Sequence, residues 1–411
     1  MALDYDVAVI GAGAAGIAAA RKLTSAGRSV VILEASNRIG GRAWTIGLCG
    51  MPLDLGCGWL HSAKRNPFSQ LGREAGFSIE RTISAWQSQW HELGFSKAER
   101  SAARSVWEAF NERIRRDPPE TDRASDALDP DGEWNQYCQS LSAYLNGAPL
   151  EQLSIRDFLA YDDAATDDNW RVKEGYGSLI TSCLPTDAAV QLSTPIRRVA
   201  LTGDGVRVET DRNALLASAV IVTASTNVLA RGMISFDREV DDHLQAATQL
   251  PLGLADKLFI RLEGHHGLEP ETHLLGNPRD SSTGSYYIRP MGRQLIEGFY
   301  GGEGAARLET AGLMDAFAFA SDELASLIGN RIRSHLKPLI ASTWCAMDWI
   351  HGSYSHAVPG ASQARILLAQ PVEDRLFFAG EATHPQDFST AHGAWDSGLR
   401  AAGEVLAVMT S

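Results

Sequence analysis

Hydrophobic and polar positions at the start of the chain predict a strand, a tight turn and a helix. The apolar run from Asp6 to Ile10 is followed by a glycine-rich stretch, 11–16, and residues 17–23 then have helical spacing and good helix formers. A second apolar run, 29–33, predicts another strand that ends at Glu34. A strand, a helix and a second strand in this order predict the opening unit of a parallel α/β sheet.

Further along, the pattern predicts a second domain and then a return to the first. Ser96 and Glu99 have the spacing of a helix-capping box, and apolar residues follow at helical intervals until Pro118 stops the pattern. Strands are predicted at 196–199, 206–210, 219–223, 252–262 and 375–380, and a last helix from Thr390 to about Val408. We therefore expect two interleaved domains, each assembled from several stretches.

Composition narrows the class of protein. The 411 residues carry a net charge of −13 and are 44% hydrophobic, which is typical of a folded protein and excludes a free-standing nucleic-acid binder. No apolar stretch approaches the roughly 18 residues that cross a bilayer. Scattered cysteines without a C-x-x-C pair predict free thiols, with neither a disulfide framework nor a metal site. Because little chain precedes the first strand, we expect no leader peptide and a cytoplasmic protein.

The glycine-rich stretch has the residue types that bind a dinucleotide. Gly11 is expected to make the turn, Gly13 to let backbone N–H groups approach a diphosphate, and Gly16 to let helix and strand pack closely. The diphosphate would lie at the helix N-terminus, and Glu34 would bind ribose hydroxyls. A second glycine turn, 38–42, is bracketed by arginines that can bind phosphate, and this favours FAD over NAD because the cofactor is held along a greater length.

These motifs resemble those of the flavin-dependent amine oxidases, the family of monoamine oxidases, polyamine oxidases and lysine-specific histone demethylases. The similar segments are R-x-G-G-R at 38–42, D-L-G-x-x-W-x-H at 54–61, the segment 344–355 that ends in G-S-Y-S, and F-A-G-E-A-T-H at 378–384. They lie far apart in the sequence, so the resemblance covers nearly the whole chain.

The resemblance implies an α/β protein, α+β overall, in which a Rossmann-like FAD-binding domain is interleaved with a substrate domain of mixed sheet and helices. We expect the FAD-binding domain to comprise residues 1–68, 187–250 and 345–411. The substrate-binding domain would comprise residues 69–186 and 251–344.

The resemblance also implies which residues contact FAD. Residues expected near the nucleotide, phosphates and ribose are Gly11, Gly13, Ala15, Gly16, Glu34, Ala35, Gly41, Arg42, Thr223 and Val199, the last through its backbone to adenine. Residues expected near the ribityl chain and the flavin ring are Gly56, Cys57, Gly58, Trp59, Trp349, Tyr354, Gly380, Glu381, Thr390 and Ala391. Trp59, taken from its own segment alone, is interpreted as a core residue. Serine at position 353 replaces the cysteine that bonds the flavin in monoamine oxidases, so FAD is expected to be noncovalent.

Four residues are expected to act on the substrate or on oxygen: Lys257, Tyr354, Thr390 and His61. By resemblance, Lys257 holds a water against flavin N5 and helps oxygen react with reduced flavin, since a positive charge there stabilises superoxide. A lone lysine at the edge of an alternating strand is otherwise typical of a solvated position. Tyr354 would form an aromatic wall that attracts a cationic amine.

Several residues indicate which class of amine is the substrate. Thr390 stands where monoamine oxidases have a second tyrosine, while polyamine oxidases and histone demethylases have threonine; Phe388 or Trp395 could close the cage or belong to the core. His61 stands where polyamine oxidases have a histidine near the substrate tunnel. Together these features favour polyamine-like or bulky amines. The acidic run 117–174 could attract cationic substrates, although a solvated acidic surface is the favoured reading.

We therefore predict an FAD-dependent amine oxidase. It would oxidise the C–N bond of a primary or secondary amine to an imine, which hydrolyses to an aldehyde, while oxygen is reduced to hydrogen peroxide. The expected partners are a small-molecule amine and molecular oxygen, without nucleic acid or membrane, and a homodimer is left open. The alternatives are an L-amino-acid oxidase, an FAD-dependent dehydrogenase or desaturase, and a non-catalytic FAD-binding scaffold.

Overall fold

The computed structural model describes residues 3–82, 84, 96–237 and 240–410. Its strands are β1 (Tyr5–Ile10), β2 (Val30–Leu33), β3 (Thr45–Leu48), β4 (Met51–Asp54), β5 (Ile79–Glu80), β6 (Arg171–Val172), β7 (Ala189–Gln191), β8 (Ile196–Thr202), β9 (Gly205–Thr210), β10 (Ala214–Val222), β11 (Ser235–Phe236), β12 (Ala255–Leu262), β13 (Thr272–Leu275), β14 (Ser285–Ile288), β15 (Leu295–Gly301), β16 (Leu336–Ala341) and β17 (Leu376–Phe378).

The helices are α1 (Ala14–Ser25), α2 (Pro67–Glu74), α3 (Lys97–Arg116), α4 (Asn135–Asn146), α5 (Ile155–Ala164), α6 (Tyr176–Ser182), α7 (Thr226–Ala230), α8 (Asp241–Gln249), α9 (Gly302–Ala311), α10 (Leu313–Ile328), α11 (Ala364–Leu368) and α12 (Ala391–Met409). None of the helices in the described ranges is long and apolar enough to cross a membrane.

The larger sheet carries the Rossmann-like core. Its strands lie in the order β11-β8-β9-β10-β1-β2-β7, and β17 pairs with β10. Strand β1 is parallel to β2 and β10, and β17 is parallel to β10, so the carboxyl ends of these strands meet at one edge. Strands β8, β9 and β10 run antiparallel. The predicted α/β class, with mixed sheets overall, is confirmed.

The smaller sheet is antiparallel, in the order β13-β14-β15-β12-β16. One face packs on α9 and α10 to form a core. Strand β12 lies inside this sheet and is buried along its length except at Arg261. The solvated position that is typical of a lone lysine in an alternating strand is therefore not found at Lys257, because both faces of β12 are covered and a pattern of period two has no solvent side to report.

Two predicted helices are confirmed together with their caps. Ser96 Oγ accepts a hydrogen bond from Glu99 N at 3.2 Å, and Ser96 N donates to Glu99 Oε2 at 2.8 Å, which is the capping box at the start of α3. That helix ends at Arg116, just before Pro118. Helix α12 begins after Thr390, as predicted.

The predicted domain segments have a simple relation to the sheets. Strands of the larger sheet fall in the segments 1–68, 187–250 and 345–411, and the smaller sheet falls in 251–344. Residues 1–2, 238–239 and 411 of the proposed FAD-binding segments, and residues 83 and 85–95 of the proposed substrate-binding segments, lie outside the described ranges. We keep the division into two interleaved domains as a proposal.

The cysteines and the acidic run can now be placed. All five cysteines are free thiols, as expected, and among the described residues there is no cluster of three side chains able to hold a metal.

The acidic run 117–174 is not uniformly solvated. Asp157 is buried against Arg365 at 2.7 Å, and Arg115 pairs with Asp162 and Asp163. Three acids of the run are therefore paired with arginines that lie outside it.

Candidate active site

The first glycine turn connects β1 to α1 without side chains in the way. Gly11 has a φ of +103°, which glycine adopts without strain. A Cβ at Gly16 would lie 2.0 Å from the Gly11 carbonyl oxygen, so only glycine fits there. Gly13 is the N-cap of α1 and provides no side-chain cap for its N–H groups. Because helix N-terminal N–H groups attract anions, the turn can hold a phosphate.

A second glycine turn lies against the first. Gly40 forms a parallel bridge with Gly13, and its N–H donates to Ala12 O at 2.8 Å. Gly41 has a φ of +57°, and a Cβ there would lie 3.3 Å from Gly13 Cα. The predicted phosphate residues thus come together as two backbones with no side chains between them, a shape suited to a diphosphate.

Glu34 lies where β2 ends, next to the first turn. Its buried carboxylate accepts hydrogen bonds from Ala12 N at 2.7 Å and from Ser36 N at 2.8 Å, with Ala35 between them in the chain. The backbone of Thr194 also reaches this turn, since its N–H donates to Glu34 O at 2.8 Å. The acid is thus fixed at the strand end where the sequence predicts a ribose contact.

Val199 has a different environment from the one expected. It is buried in the hydrophobic core of the larger sheet, paired with Val208 and Phe236, and its carbonyl oxygen accepts a hydrogen bond from Asp237 N at 3.3 Å. Its backbone carbonyl is therefore engaged within the protein. Thr194, which precedes β8, donates its backbone N–H to Glu34 O. The sequence did not predict this contact, because a backbone hydrogen bond does not depend on the type of side chain.

Arg42 and Glu381 meet at the carboxyl ends of β10 and β17. Arg42 Nη1 lies 2.8 Å from Glu381 Oε1, and Ser355 Oγ and Ser389 N donate to Glu381 Oε2 at 2.7 and 2.8 Å. Burial alone would raise the pKa of Glu381, but Arg42 and Arg365 hold it below its usual value. The predicted ribityl-binding acid is therefore an ionised, fully ordered acceptor.

Neighbouring predicted residues line the same region. Thr223 Oγ1 donates to Ile10 O at 2.8 Å, beside the Gly11 turn. Gly380 has a φ of +134°, and a cavity there is lined by Arg42 and Glu381 among others. Ala15 lies in the first turn of α1 against α12, since a Cβ at Gly398 would lie 2.1 Å from its carbonyl oxygen.

Ser353 uses its hydroxyl on the main chain. Its Oγ accepts a hydrogen bond from Ala255 N at 2.8 Å and donates one to Ala255 O at 2.7 Å. Its carbonyl oxygen accepts from Arg42 Nη1 at 2.6 Å. The residue that replaces the flavin-bonding cysteine thus ties the start of β12 to the segment that leads to Tyr354.

The N-terminus of α12 has an ordered cap. Thr390 Oγ1 accepts from Gly393 N at 3.0 Å and donates to Asp387 O at 2.6 Å. The Thr390 hydroxyl is therefore occupied by the helix cap and does not replace the second aromatic wall. Phe388 and Trp395 do not either, because both are buried: Phe388 lies under the Arg365 guanidinium at 3.5 Å, and Trp395 packs against Phe68 at 5.0 Å.

The register of the smaller sheet separates a core face from a second, more polar face. Lys257 lies opposite Phe299, Tyr287 lies opposite Glu297, and Ser285 lies opposite Phe299, so these side chains project from the same side. We call this side the site face; its members are Lys257, His273, Ser285, Tyr287, Glu297 and Phe299. The helices α9 and α10 cover the opposite face.

Lys257 is buried on the site face and is not a solvated edge residue. Its Nζ donates to Asp54 O at 2.9 Å and lies 3.1 Å from Glu297 Oε1. A Cβ at Gly58 would lie 2.9 Å from the same nitrogen. The predicted flavin-facing segment 54–61 therefore passes directly over the predicted oxygen-activating lysine.

Glu297 carries the negative charge of this region. Arg171 Nη2 lies 2.7 Å from Glu297 Oε2, and its guanidinium lies 4.8 Å from the ring centroid of Trp59. Burial alone would raise the pKa of Glu297, but Arg171 and Lys257 lower it to about 2. Trp59 is half-buried, so its assignment to the core is wrong; it covers Arg171 instead.

The sequence reading singled out neither Glu297 nor Arg171. The available signal was an isolated acid within the apolar strand segment 295–299, since a charged residue inside such a run requires a buried partner. The partner, Arg171, is distant in the sequence and has no motif of its own.

His61 and Cys57 are neutral groups next to this charge cluster. Burial lowers the pKa of His61 to about 4, although its Nδ1 is hydrogen-bonded to Asn169 Oδ1 at 2.7 Å. Burial, and secondarily Asp54, raises the pKa of the Cys57 thiol to about 12. Neither group changes its charge near neutral pH. Gly56 allows close packing here, because a Cβ would lie 1.8 Å from Arg42 O.

Tyr354 is half-buried with its hydroxyl fixed. Its Oη donates to Tyr144 O at 2.7 Å, and burial raises its pKa. Tyr144 in turn lies 6.2 Å from Phe299 between ring centroids, so its ring lies next to Phe299 of the site face. Trp349 is half-buried with the Arg197 guanidinium 5.5 Å from its ring centroid, and Ala391 opens α12. Their cofactor contacts stay predictions.

The chain is similar to known proteins in sequence and in fold. Polyamine oxidase 4 of Oryza sativa subsp. japonica is 27% identical over 437 residues, which cover 97% of this chain and 88% of that protein. Lysine-specific histone demethylase 1 homolog 3 of the same plant is 28% identical over 97% of this chain, but this chain spans only 54% of its length. A solved structure of putrescine oxidase with putrescine bound has a TM-score of 0.75 at 20% identity, covers 98% of this chain and shares its fold.

The family assignment follows from the sequence profile. The family described as flavin containing amine oxidoreductase matches residues 14–94 and 90–406, nearly the whole chain. The protein belongs to the flavin containing amine oxidoreductases, and its cofactor is FAD.

Proposed function

We propose that this protein is an amine oxidase that uses oxygen and acts on a primary or secondary amine, with polyamines as the favoured class. The amine C–N bond is oxidised to an imine, water hydrolyses the imine to an aldehyde, and oxygen is reduced to hydrogen peroxide. The single observation that supports this best is Lys257: a buried ammonium held by Asp54 O and Glu297 beneath the segment that the family places against the flavin.

The residues present fit FAD bound without a covalent link. The two glycine turns would hold the diphosphate, Glu34 the ribose, Glu381 the ribityl chain, and the N-terminus of α12 the pyrimidine edge. Ser353 has no thiol for a covalent bond. When bound, FAD supplies the redox chemistry, accepting a hydride equivalent from the carbon next to nitrogen and passing electrons to oxygen.

The protein's own groups would bind the amine and control its protonation. Tyr354 presents a half-buried ring that can attract an ammonium through its face. His61 is neutral near pH 7 because burial lowers its pKa to about 4, so its imidazole can accept a hydrogen bond from the substrate nitrogen. Lys257 would present positive charge where oxygen takes up electrons.

Polyamines are favoured by residue choice and by the relatives. By resemblance, Thr390 is shared with polyamine oxidases and histone demethylases, and His61 stands where polyamine oxidases have a histidine near the substrate tunnel. Polyamine oxidase 4 of rice is among the similar proteins. Tyr144 and Phe299 offer an aromatic surface beside Tyr354, in place of the missing second tyrosine.

The engaged arginines argue against an amino-acid oxidase, which requires a guanidinium for the substrate carboxylate. Arg171 is paired with Glu297, Arg42 with Glu381, and Arg365 with Asp157. Arg65 is bound to Asp387. A substrate carboxylate would have to displace one of these acids.

The test is anaerobic mixing of the purified, FAD-loaded protein with panels of polyamines, monoamines and amino acids, followed by air. We expect the polyamines to bleach the flavin, and air to restore the colour with formation of hydrogen peroxide. Bleaching by amino acids alone would identify an amino-acid oxidase. Bleaching without return in air would identify a dehydrogenase, and no bleaching by any compound would favour the scaffold.

The variant Lys257→Met should reoxidise in air at least about tenfold more slowly while keeping its FAD, because the positive charge next to oxygen is lost. Lys337→Met is the matched control, since Lys337 is exposed on β16 of the same sheet. Equal reoxidation rates in wild type and Lys257→Met would contradict the proposed role.

The rate of flavin reduction by substrate should rise with pH. Only the neutral amine donates a hydride readily, and His61 and Glu297, with pKa values of about 4 and about 2, hold constant charge as the substrate deprotonates. Stopped-flow reduction between mildly acidic and alkaline pH measures this. A rate that is flat over that range would be inconsistent with a neutral-amine mechanism.

A further inference from the structure

Three charged side chains form a closed group under the site face. Lys257, Glu297 and Arg171 come from β12, β15 and β6, and each side chain is at most 8% exposed. Glu297 binds one cation with each carboxylate oxygen: Lys257 at 3.1 Å through Oε1 and Arg171 at 2.7 Å through Oε2. The carboxylate thus lies between two cations that would otherwise be buried side by side.

The contacts of Lys257 leave one direction open to its ammonium. An ammonium has three N–H bonds. One is directed to Asp54 O at 2.9 Å and another to Glu297 Oε1. The third N–H remains, and Gly58 places no side chain against the nitrogen, since a Cβ there would lie 2.9 Å from Nζ.

Glu297 also determines whether Lys257 can stay charged. Burial disfavours an ammonium, and a nearby guanidinium disfavours it further, so without Glu297 both effects act to lower the lysine pKa. With Glu297 present, each cation has a bonded counter-charge. Arg171 is stacked against Trp59 and stays charged regardless, because a guanidinium does not lose its proton in proteins.

We propose that Glu297 is the positioning residue for Lys257: it keeps the lysine ammonium charged and turns its remaining N–H toward the cofactor, while Arg171 fixes Glu297 in place. The direction toward the cofactor rests on the proposed function. The charge relation between Glu297 and Lys257 does not.

Titratable groups around Lys257 are few. Those facing it are Glu297 and Arg171, the Asp54 carboxylate, His61 and Cys57. The pKa values of His61, about 4, and of Cys57, about 12, lie outside the range from mildly acidic to mildly alkaline pH. The Asp54 carboxylate accepts hydrogen bonds from Tyr176 N and Gly177 N. A titration that appears in Glu297→Gln but in neither wild type nor Lys257→Met is therefore assigned to Lys257, because the flavin's own ionisations are common to all three proteins.

The experiment uses the FAD-loaded protein and Glu297→Gln, with the flavin reduced photochemically so that no amine is needed. Two readouts are taken as functions of pH: the rate of reoxidation by oxygen and the flavin midpoint potential. The wild-type profiles of both readouts serve as the reference. For Glu297→Gln we expect reoxidation to fall by at least about tenfold as pH rises, and the midpoint potential to turn downward at the same pH, about one pH unit or more below any wild-type inflection.

Controls separate charge from simple damage. At high pH, Glu297→Gln should approach Lys257→Met, and at low pH it should recover wild-type behaviour, which a misfolded site would not do. Glu263→Gln is the matched control, because Glu263 follows β12 and forms an exposed pair with Arg261 at 3.7 Å. It should leave both profiles unchanged. If Glu297→Gln fails to retain FAD, Glu297→Asp keeps the charge on a shorter side chain and should show a smaller shift in the same direction.

Identical pH profiles in wild type and Glu297→Gln, or in wild type and Glu297→Asp where that variant replaces it, would overturn the proposal. Because the flavin is reduced by light, this result is independent of whether any amine is a substrate. Failure of the proposed amine oxidase activity would appear separately, as a flavin that no amine bleaches.

Discussion

The glycine turns and the site face are built in opposite ways. At the turns, Gly11, Gly13 and Gly16 are neighbours in sequence, and the chemistry is that of backbone N–H groups left without side chains. On the site face, Lys257 contacts Asp54 across 203 positions of sequence, and Arg171 contacts Glu297 across 126. The first region is encoded by a contiguous motif, and the second is encoded by the fold that brings distant residues together.

This difference determines how each region fails. The turns depend on glycine, because an added Cβ would collide with the backbone of the neighbouring turn residues. The site face depends on present charges, so that removing one leaves its partner buried without a counter-ion. Substitutions at the two regions should therefore differ in kind as well as in size.

The largest effect should come from filling the turn. In Gly16→Val the new Cβ would lie 2.0 Å from Gly11 O, and we expect loss of bound FAD and a destabilisation of about 3 kcal/mol or more. Flavin absorbance per protein and chemical unfolding measure this. Gly27→Ala is the control: Gly27 has a φ of +75° but nothing within 4 Å, so the cost should be only about 1 kcal/mol with FAD retained. Retention of FAD by Gly16→Val would show that the turn is more plastic than its geometry indicates.

The next effect should come from removing one charge of the site face. In Arg171→Met the carboxylate of Glu297 loses its 2.7 Å partner but keeps Lys257, and we expect a loss of about 3 kcal/mol in unfolding free energy. FAD should remain bound, because the glycine turns are untouched. Arg261→Met, which breaks an exposed pair at the end of β12, should cost under about 1 kcal/mol. Equal costs for the two variants would mean that the buried group adds nothing beyond a surface pair.

The smallest effect concerns Asp256, on the face of β12 opposite Lys257. Burial raises the pKa of Asp256 to about 8; Ser342 opposes this shift and Glu309 adds to it. Its ordinary pKa is 3.8, so the stability that depends on the protonated carboxyl is complete below about pH 4 and is lost as pH rises toward about 8.

The variant Asp256→Asn mimics the protonated acid at every pH. We expect it to match wild type at about pH 4 and to become more stable than wild type by up to about 2 kcal/mol near pH 8. Urea unfolding at a series of pH values measures the difference. The exposed Asp322→Asn should show no such trend, and a constant difference between Asp256→Asn and wild type would mean that Asp256 ionises normally in the folded protein.

The sequence predicted the regions whose chemistry is local. The order strand, glycine turn, helix, the acid at Glu34 and the start of α12 were all readable, because a turn, a strand end and a helix cap each involve only neighbouring residues. Thr390 stands where monoamine oxidases have a second tyrosine, but its hydroxyl caps helix α12 by accepting a hydrogen bond from Gly393 N.

The site face could be predicted only in part. Lys257 was found through its motif, but its burial could not be predicted, because alternation in the sequence does not report what covers each face of β12. Glu297 and Arg171 had no local pattern, and their partnership depends on the register of β12 and β15 and on where β6 passes. For Val199 the strand is confirmed, while the expected backbone contact with adenine stays a prediction, since its carbonyl oxygen already accepts a hydrogen bond from Asp237 N.

The hydroxyl of Ser353 has a consequence for how such an enzyme could acquire a tethered flavin. Both hydrogen bonds of that hydroxyl go to Ala255, two residues before Lys257. A thiol in its place would be a larger atom and a weaker donor and acceptor, and once bonded to a flavin it could donate to neither. Permanent attachment at this position would therefore loosen the strand that carries the lysine. A covalent bond to the flavin and the present anchoring of β12 by Ser353 therefore exclude each other. A covalent variant would first require a redesign of the turn before Ala255.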